Sequence, residues 1–238
     1  MFAHIKAISL DLDDTLWDID SVIVRAEQRL HAWLAAHFPR ITERHTLNSM
    51  REARIAIGAR YPEIRHDLSE VRRRTLRWHA EQAGYPHADV EQGFDVYFAA
   101  RNQVELYADV IPALETLTEH YPLIALTNGN ADLQHIGLDR FFASTISSAA
   151  VKVSKPHPAM FDAASSRAGC SNAEVLHVGD DPVSDVQGAR DAGAVSVWMN
   201  RNGTAWPDTH DQPDHEVENL HDLLELLGLA STRAEQSS

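Results

Sequence analysis

The second half of the chain alternates short apolar runs with amphipathic segments, and this alternation constrains the fold more than any other feature. Strands are predicted at LIALT, STISSA, EVLHVG and AVSVWM, with a shorter one at HEVE. The segments AMFDAASSRAG and VSDVQGARDAG are predicted helices, because each follows a proline, Pro158 or Pro182, and ends on a glycine. Strands that alternate with helices form βαβ units. The sequence therefore predicts an α/β fold with a Rossmann-like parallel sheet.

A different pattern separates the first predicted strand, IKAISL, from the rest of this sheet. Residues 20–105 contain no convincing strand, and their apolar residues recur at spacings of three and four, which indicates about four helices. The chain of 238 residues is also longer than one usual domain of about 150. We therefore predict a core from residues 1–16 and 107–230, a helical insertion at 17–106 and a flexible tail at 231–238.

The charge of the chain is divided in the same way. Residues 16–106 hold equal numbers of acidic and basic side chains, so the net charge of −14 lies on the remainder. A chain this acidic is not expected to bind nucleic acid or an anionic membrane. The insertion is rich in arginine. We expect most of these arginines on solvated helix faces beside acids, and a positively charged lid is the alternative.

Residues that often mark disulfides or metal sites are few or scattered. Cys170 is the only cysteine, and the sequence has no apolar run that would serve as a signal peptide or a membrane span, so we predict a cytoplasmic protein. The 14 histidines show no HExxH or similar spacing and are expected mostly at the surface or at helix caps.

The strongest local signal is ISLDLDDTLW, where acids follow the first strand. Asp11 and Asp13 are two residues apart, so their side chains project to the same side of an extended chain. Ligands of parallel sheets bind beyond the carboxyl ends of the strands. Two carboxylates at that edge require a cation or a shared proton. Taken alone, the same pattern also fits a turn or a calcium loop.

Other predicted strands deliver complementary groups to the same edge. Thr127 and Asn128 follow LIAL in a glycine-containing turn that suits an anion, and Lys155 follows STISSA. The segment GDDPVSD, which holds Asp180, Asp181 and Asp185, follows EVLHV. Each segment also has an ordinary interpretation as a turn, a solvated loop or a helix cap. Their coincidence at one edge favours a site for phosphate and a cation.

These four segments resemble the motifs of the haloacid dehalogenase-like superfamily: DxDxT, a second motif with its threonine, a third with its lysine, and GDDxxxD. The helical insertion resembles the first type of cap in that family. Within the superfamily, the chain is most similar to bacterial phosphatases that act on flavin mononucleotide and on the phosphorylated ribitylaminouracil intermediate of riboflavin synthesis. The resemblance implies an enzyme that hydrolyses a small phosphorylated metabolite. The oligomeric state is not indicated.

The resemblance also implies roles for individual residues. Asp11 would be the nucleophile that forms an aspartyl-phosphate, and Asp13 would protonate the leaving alcohol and then activate water. Thr127 and the Asn128 amide would hold phosphate oxygens, while Lys155 would neutralise the phosphate and the nucleophile.

A magnesium ion is implied by the same resemblance. Its ligands would be the Asp11 and Asp180 side chains with the Asp13 carbonyl, because Mg²⁺ prefers oxygen ligands. Asp181 and Asp185 would act as outer-shell groups.

Several alternatives stay open. A 2-haloacid dehalogenase shares the nucleophile but lacks the second acid of DxD, a phosphomutase has the same motifs, and a binding protein could keep the fold without turnover. A receiver domain has similar residues but no helical insertion.

Substrate specificity is expected to lie in the insertion. Trp17, Tyr61 and Arg65 are candidates, since an aromatic ring there could stack on a flavin or uracil. The alternative is that these side chains pack between helices. We also expect the insertion to close over the site by hinging at residues 16–19 and 106–112.

Overall fold

The computed structural model describes residues 2–86 and 88–230, and the predicted flexible tail at 231–238 lies outside these residues. Its centre is a parallel sheet of six strands in the order β3-β2-β1-β4-β5-β6. The strands are β1 (Ala7–Leu10), β2 (Leu123–Thr127), β3 (Ser144–Ser147), β4 (Val175–Gly179), β5 (Val195–Met199) and β6 (His215–Val217). The predicted α/β fold with a parallel sheet is confirmed.

The sheet is buried on both faces, as expected for a parallel sheet. Side chains of β2 alternate between the two faces: Leu123 and Ala125 join one apolar cluster, whereas Ile124 and Leu126 join the other. The helices that cover the faces are α6 (Val110–Thr118), α7 (Leu133–Ile136), α8 (Ser148–Val151), α9 (Pro158–Ala168), α10 (Gly188–Asp191) and α11 (Leu220–Leu226).

The two best-marked helix predictions have different outcomes. Helix α9 begins at Pro158 and ends before Gly169, which has a φ of 72° that suits glycine, so this prediction is confirmed. The segment after Pro182 is not a regular α-helix. It begins as a π-helical segment at Pro182–Gln187 and becomes α-helical only in α10. Pro182 and a side-chain cap from Asp181 still start the segment as predicted, and Gly193 follows its end with a φ of 81°.

The segment between β1 and β2 contains five α-helices rather than about four: α1 (Ile19–His37), α2 (Pro39–Arg44), α3 (Leu47–Arg60), α4 (Leu68–Gln82) and α5 (Glu91–Arg101). The extra helix arises where Pro39 ends α1 and starts the short α2. These helices bury an apolar cluster of their own, which includes Leu30, Leu34 and Phe94. The exact division into two domains stays a prediction.

The two chain connections to this helical insertion run side by side. Tyr107 donates its N–H to the Leu16 carbonyl oxygen at 3.1 Å, and Trp17 pairs with Leu106 in an antiparallel bridge. The predicted hinge segments are therefore hydrogen-bonded to each other, while cap closure stays a prediction. Among the described residues, none of the helices is both long and apolar enough to cross a lipid bilayer.

Candidate active site

A pocket of about 160 Å³, called here the strand-end pocket, opens at the carboxyl ends of β1, β2 and β4. The parallel register brings these ends together, and the Asp11 N–H continues the β1–β4 pairing by donating to the Val178 carbonyl oxygen at 2.9 Å. All eight residues predicted for catalysis, phosphate binding and metal binding line this pocket. They are Asp11, Asp13, Thr127, Asn128, Lys155, Asp180, Asp181 and Asp185.

Lys155 is the cation at the centre of the pocket. Its ammonium donates to Asp11 Oδ1 at 2.6 Å, to Asp185 Oδ1 at 2.6 Å and to the Leu126 carbonyl oxygen at 2.7 Å. All three of its N–H donors therefore have acceptors. Burial alone would lower the pKa of Lys155, but the Asp11 and Asp185 carboxylates outweigh burial and raise it. Lys155 is thus a fixed positive charge beside Asp11.

Asp185 is held by donors on three sides. Besides Lys155, its carboxylate contacts His177 Nε2 at 3.0 Å and accepts the Asp181 N–H at 3.0 Å. Burial would raise the pKa of Asp185, but Lys155 and His177 lower it below the usual value. Asp185 therefore stays ionised and orients Lys155 toward Asp11.

His177 is a site residue that the sequence prediction missed. It lies in β4, is 1% exposed, and its Nδ1 lies 2.8 Å from the Ser9 hydroxyl. The expectation that the histidines lie mostly at surfaces or caps is wrong for His177. The only signal in the sequence is a polar residue within the apolar strand EVLHVG.

Three carboxylates crowd this end of the sheet. Asp11, Asp180 and Asp185 each offer an oxygen within 4.8 Å of the others. Burial, and then the neighbouring acids, raise the pKa of Asp180 to about 8; burial also raises that of Asp11 to about 7, against the effect of Lys155. Such a cluster of oxygen ligands fits a divalent cation, which would favour the ionised carboxylates.

The contacts separate these carboxylates by role. Both oxygens of Asp185 already accept hydrogen bonds from protein groups, whereas Asp11 uses Oδ1 for Lys155. The assignment of Asp11 and Asp180 as direct ligands, with Asp185 as an outer-shell group, stays a prediction. The Asp181 side chain accepts the N–H groups of Val183 and Ser184, so it caps the following helical segment while it lines the pocket.

The turn after β2 positions Lys155 and leaves room for Asp13. Asn128 Oδ1 accepts the Lys155 N–H at 2.7 Å, and Thr127 Oγ1 accepts the Gly129 N–H at 2.8 Å. A Cβ atom at Gly129 would lie 2.4 Å from Asp13 Oδ2, so a larger residue there would displace the Asp13 carboxylate. The side chain of Asn128 thus has a structural task, while its amide stays the predicted phosphate ligand.

Asp13 is held by two side chains on its other side. Arg101 Nη2 donates to both carboxylate oxygens at 2.7 Å, and Trp17 Nε1 donates to Oδ1 at 2.9 Å. The Trp17 indole is fully buried and contacts Asp13 rather than open space, so its candidate role in stacking on a substrate stays a prediction without support from this contact. Arg101 was not predicted. Its signal is an arginine at the end of the last helix of the insertion.

Tyr61 and Arg65, the other candidates for specificity, are not among the residues that line the strand-end pocket. Tyr61 lines a separate cavity of about 490 Å³ between α3 and α4, where Arg74 stacks on its ring. Arg65 is exposed. The backbone of this loop does reach the edge of the site, because Ser148 Oγ lies 2.6 Å from the His66 carbonyl oxygen and 3.1 Å from that of Asn128, and its one proton can bond either of them.

Comparison with known proteins agrees with this geometry. The chain is 29% identical over 231 residues to the 5-amino-6-(5-phospho-D-ribitylamino)uracil phosphatase YigB of Escherichia coli (strain K12). The alignment covers 94% of this chain and 97% of that protein. A structure described as a 2-haloacid dehalogenase from Pseudomonas syringae pv. Tomato DC3000 has 36% identity and a TM-score of 0.87, covering 95% of this chain and 100% of that one. A HAD phosphatase from Thermococcus onnurineus has 25% identity and a TM-score of 0.69, covering 94% and 98%.

The family comparison covers all four core motifs and the whole insertion. A family model described as haloacid dehalogenase-like hydrolase matches residues 5–193, a range that contains Asp11, Thr127, Lys155 and Asp180. The chain therefore belongs to the haloacid dehalogenase-like hydrolase family.

Proposed function

We propose that this protein is a magnesium-dependent phosphatase that hydrolyses a small phosphorylated metabolite through an aspartyl-phosphate at Asp11. The observation that carries the proposal is the contact of Asp11 with Lys155, in a pocket that also holds a second acid, Asp13, and the acidic cluster. Similarity to the phosphatase of Escherichia coli over 94% of this chain supports it.

In the first step, an Asp11 oxygen attacks phosphorus and the alcohol oxygen leaves. Lys155 donates to Asp11 Oδ1 and so fixes the orientation of the carboxylate for this attack. Positive charge from Lys155, together with the Thr127 hydroxyl and the backbone N–H groups of its turn, offsets the charge on the phosphoryl oxygens. A bound Mg²⁺, held by Asp11 and Asp180, would screen the nucleophile from the phosphate and stabilise the transferring group.

Asp13 serves both halves of the reaction. As an acid it protonates the leaving alcohol, and as a base it removes a proton from the water that attacks the aspartyl-phosphate. Arg101 contacts both oxygens of Asp13, which suits the ionised form that acts as the base. Donation of a proton requires one of these contacts to be released.

Flavin mononucleotide and 5-amino-6-(5-phospho-D-ribitylamino)uracil are the first substrates to assay, because the similar phosphatase of Escherichia coli is named for the second. A cytoplasmic location and the absence of nucleic-acid and membrane partners stay predictions.

Dehalogenation of a 2-haloacid is the second candidate, and the dehalogenase structure with 36% identity favours it. In that reaction a carboxylate such as Asp11 displaces halide from carbon, and halide leaves without a proton. The reaction gives no task to an acid at position 13. Because Asp13 is present and held in the site, phosphoryl transfer is the better-supported function.

The deciding experiment measures p-nitrophenol release from p-nitrophenyl phosphate and chloride release from 2-chloropropionate, with Mg²⁺ and with EDTA. We expect Mg²⁺-dependent phosphate ester hydrolysis that Asp11→Asn abolishes. Chloride release without hydrolysis of the phosphate ester would identify a dehalogenase. Transfer of the phosphoryl group to a second sugar hydroxyl would identify a phosphomutase, and no turnover of either compound would favour a binding protein.

A further inference from the structure

A second cavity, of about 180 Å³, lies between the helical insertion and the core, and Asp13 lines both this cavity and the strand-end pocket. We call it the arginine pocket. The insertion contributes three arginines and a tyrosine, and the core contributes Asp13 and the turn after β2. The residues that matter for its charge are Asp13, Arg54, Arg72, Tyr97, Arg101 and Asn130.

Arg101 is almost completely buried but is not fully paired. It is 1% exposed, and it uses Nη2 for Asp13 and Nε for Asn130 Oδ1 at 3.1 Å. Its Nη1 is buried without an acceptor among the described residues. A guanidinium group that has lost its water requires hydrogen-bond acceptors, so an unpaired buried N–H of this kind indicates a missing ligand.

Arg54 and Arg72 show the same excess of positive charge. Arg72 stacks on Tyr97 and reaches Glu27 only at 3.4 Å, while Glu27 makes its shorter contact, at 2.6 Å, with Arg51. Arg54 forms no salt bridge within residues 2–86 and 88–230, and its Nε is buried without an acceptor. Two acids, Asp13 and Glu27, therefore face four arginines.

The electrostatics of Arg54 agree with this count. Burial, and then repulsion from Arg72, lower the pKa of the Arg54 guanidinium. The negative charge of an anion in the cavity would offset both effects. The strand-end pocket lacks such a deficit, because Lys155 has three acceptors there.

We propose that the arginine pocket binds an anionic substituent, a carboxylate in the first instance, on the alcohol part of the substrate. Asp13 protonates that alcohol in the proposed function, on which this inference rests, so the pocket beyond Asp13 receives the leaving group. A carboxylate in this cavity would bring acceptors to a site where the guanidinium groups of Arg54 and Arg101 each have an N–H without one among the described residues. The substrate class is then a phosphate ester of a short hydroxy acid.

The volume fits a small group of this kind. A cavity of about 180 Å³ has room for roughly six water molecules. The unpaired N–H groups have almost no solvent-accessible surface, so an acceptor would reach them through a movement of the insertion such as the predicted closure.

The experiment compares two esters that differ in one group, 2-phosphoglycolate and ethyl phosphate, with the bisphosphate of ethylene glycol as a test of a second phosphate. We expect wild-type kcat/KM to favour 2-phosphoglycolate by on the order of 10- to 100-fold, the effect of hydrogen bonds to a charged group. Preference for the bisphosphate instead would assign a second phosphate to the pocket. Equal values for all three esters would overturn the proposal.

Variants on one helix test the residues. Arg54→Met should reduce the ratio for the two esters to within about threefold, and Arg54→Lys, which keeps the charge, should retain part of it. Arg60→Met is the matched control, because Arg60 is an exposed arginine of the same helix α3 outside the pocket. A ratio that survives in Arg54→Met and Arg54→Lys would contradict the assignment.

Binding separates this inference from the proposed function. Isothermal titration calorimetry of Asp11→Asn with the same esters in the presence of Mg²⁺ measures the affinity for each ester without turnover. Tighter binding of 2-phosphoglycolate with no hydrolysis by wild type would keep the arginine pocket and refute the phosphatase. Hydrolysis of p-nitrophenyl phosphate with no discrimination between the esters would keep the phosphatase and refute the arginine pocket.

Discussion

The strand-end pocket and the arginine pocket share Asp13 as a lining residue and differ in how far their charged groups are paired. In the first, Lys155 and Asp185 each have three partners within the protein. In the second, Arg54 and Arg101 keep buried N–H groups without acceptors among the described residues. The difference indicates that the core residues act on the phosphate group, which every ester carries. The residues of the insertion would bind a substituent that only some substrates carry.

The largest effect is expected from a substitution of Lys155 in the strand-end pocket, where the charged groups are paired. Lys155→Met leaves Asp11 and Asp185 buried without their cation, so kcat/KM for p-nitrophenyl phosphate should fall roughly 10³-fold. Loss of one partner of a buried ion pair should also lower the free energy of unfolding by about 3–5 kcal/mol, measured in urea. Lys152→Met is the control, because Lys152 is exposed. Activity within tenfold of wild type in a folded Lys155→Met protein would contradict the role of Lys155.

The two pockets also differ in how well the sequence predicts them. Asp11, Thr127, Lys155 and Asp180 could be predicted together, because each follows an apolar run and parallel strands end at one edge. His177 could not, because one polar residue within a strand does not show which side chain it meets.

Arg101 and Arg54 were beyond local reasoning for a different reason. Arg101 meets Asp13 across 88 positions, through the way α5 packs against the turn after β2. Arg54 lies in α3, and an arginine in a polar helix predicts a solvated side chain. The general expectation holds at Arg77, which pairs with Glu70 at the surface, and it fails where the insertion faces the core.

A smaller effect is expected at Arg101, where the two pockets meet. Arg101→Met leaves Asp13 held only by Trp17, so kcat for p-nitrophenyl phosphate should fall roughly 10- to 100-fold through misplacement of the acid-base group. KM should change little, because Arg101 does not line the strand-end pocket. Arg73→Met, which removes a surface pair with Glu91, should alter neither constant. A rise in KM at unchanged kcat would show that Arg101 binds substrate without positioning Asp13.

The last prediction concerns stability rather than turnover, and it compares the buried histidines of the two regions. His177 in the core has Asp185 and Ser9 as partners, whereas both ring nitrogens of His79, in α4, are buried without a partner among the described residues. Burial, and then His45, lower the pKa of His79 to about 4 from 6.5. The unfolded chain therefore binds a proton at His79 that the folded chain refuses between pH 6.5 and pH 4, and stability falls as the pH falls through that window.

Replacement of His79 by leucine removes this penalty and should flatten the acid side of the stability profile. When the pH is lowered from 7.5 to 5.5, the free energy of unfolding in urea should decrease by about 1 kcal/mol more in wild type than in His79→Leu. When the pH is lowered from 7.5 to 4, this difference should reach about 3 kcal/mol. The raised pKa values of Asp11 and Asp180 act with the opposite sign, but they are common to both proteins and cancel in the difference. The exposed His120, changed to leucine, should leave the profile unaltered. Parallel profiles of stability against pH for wild type and His79→Leu would mean that His79 has a hydrogen-bond partner in solution. The contrast between paired buried groups in the core and unpaired buried groups in the insertion would then apply only to the arginine pocket.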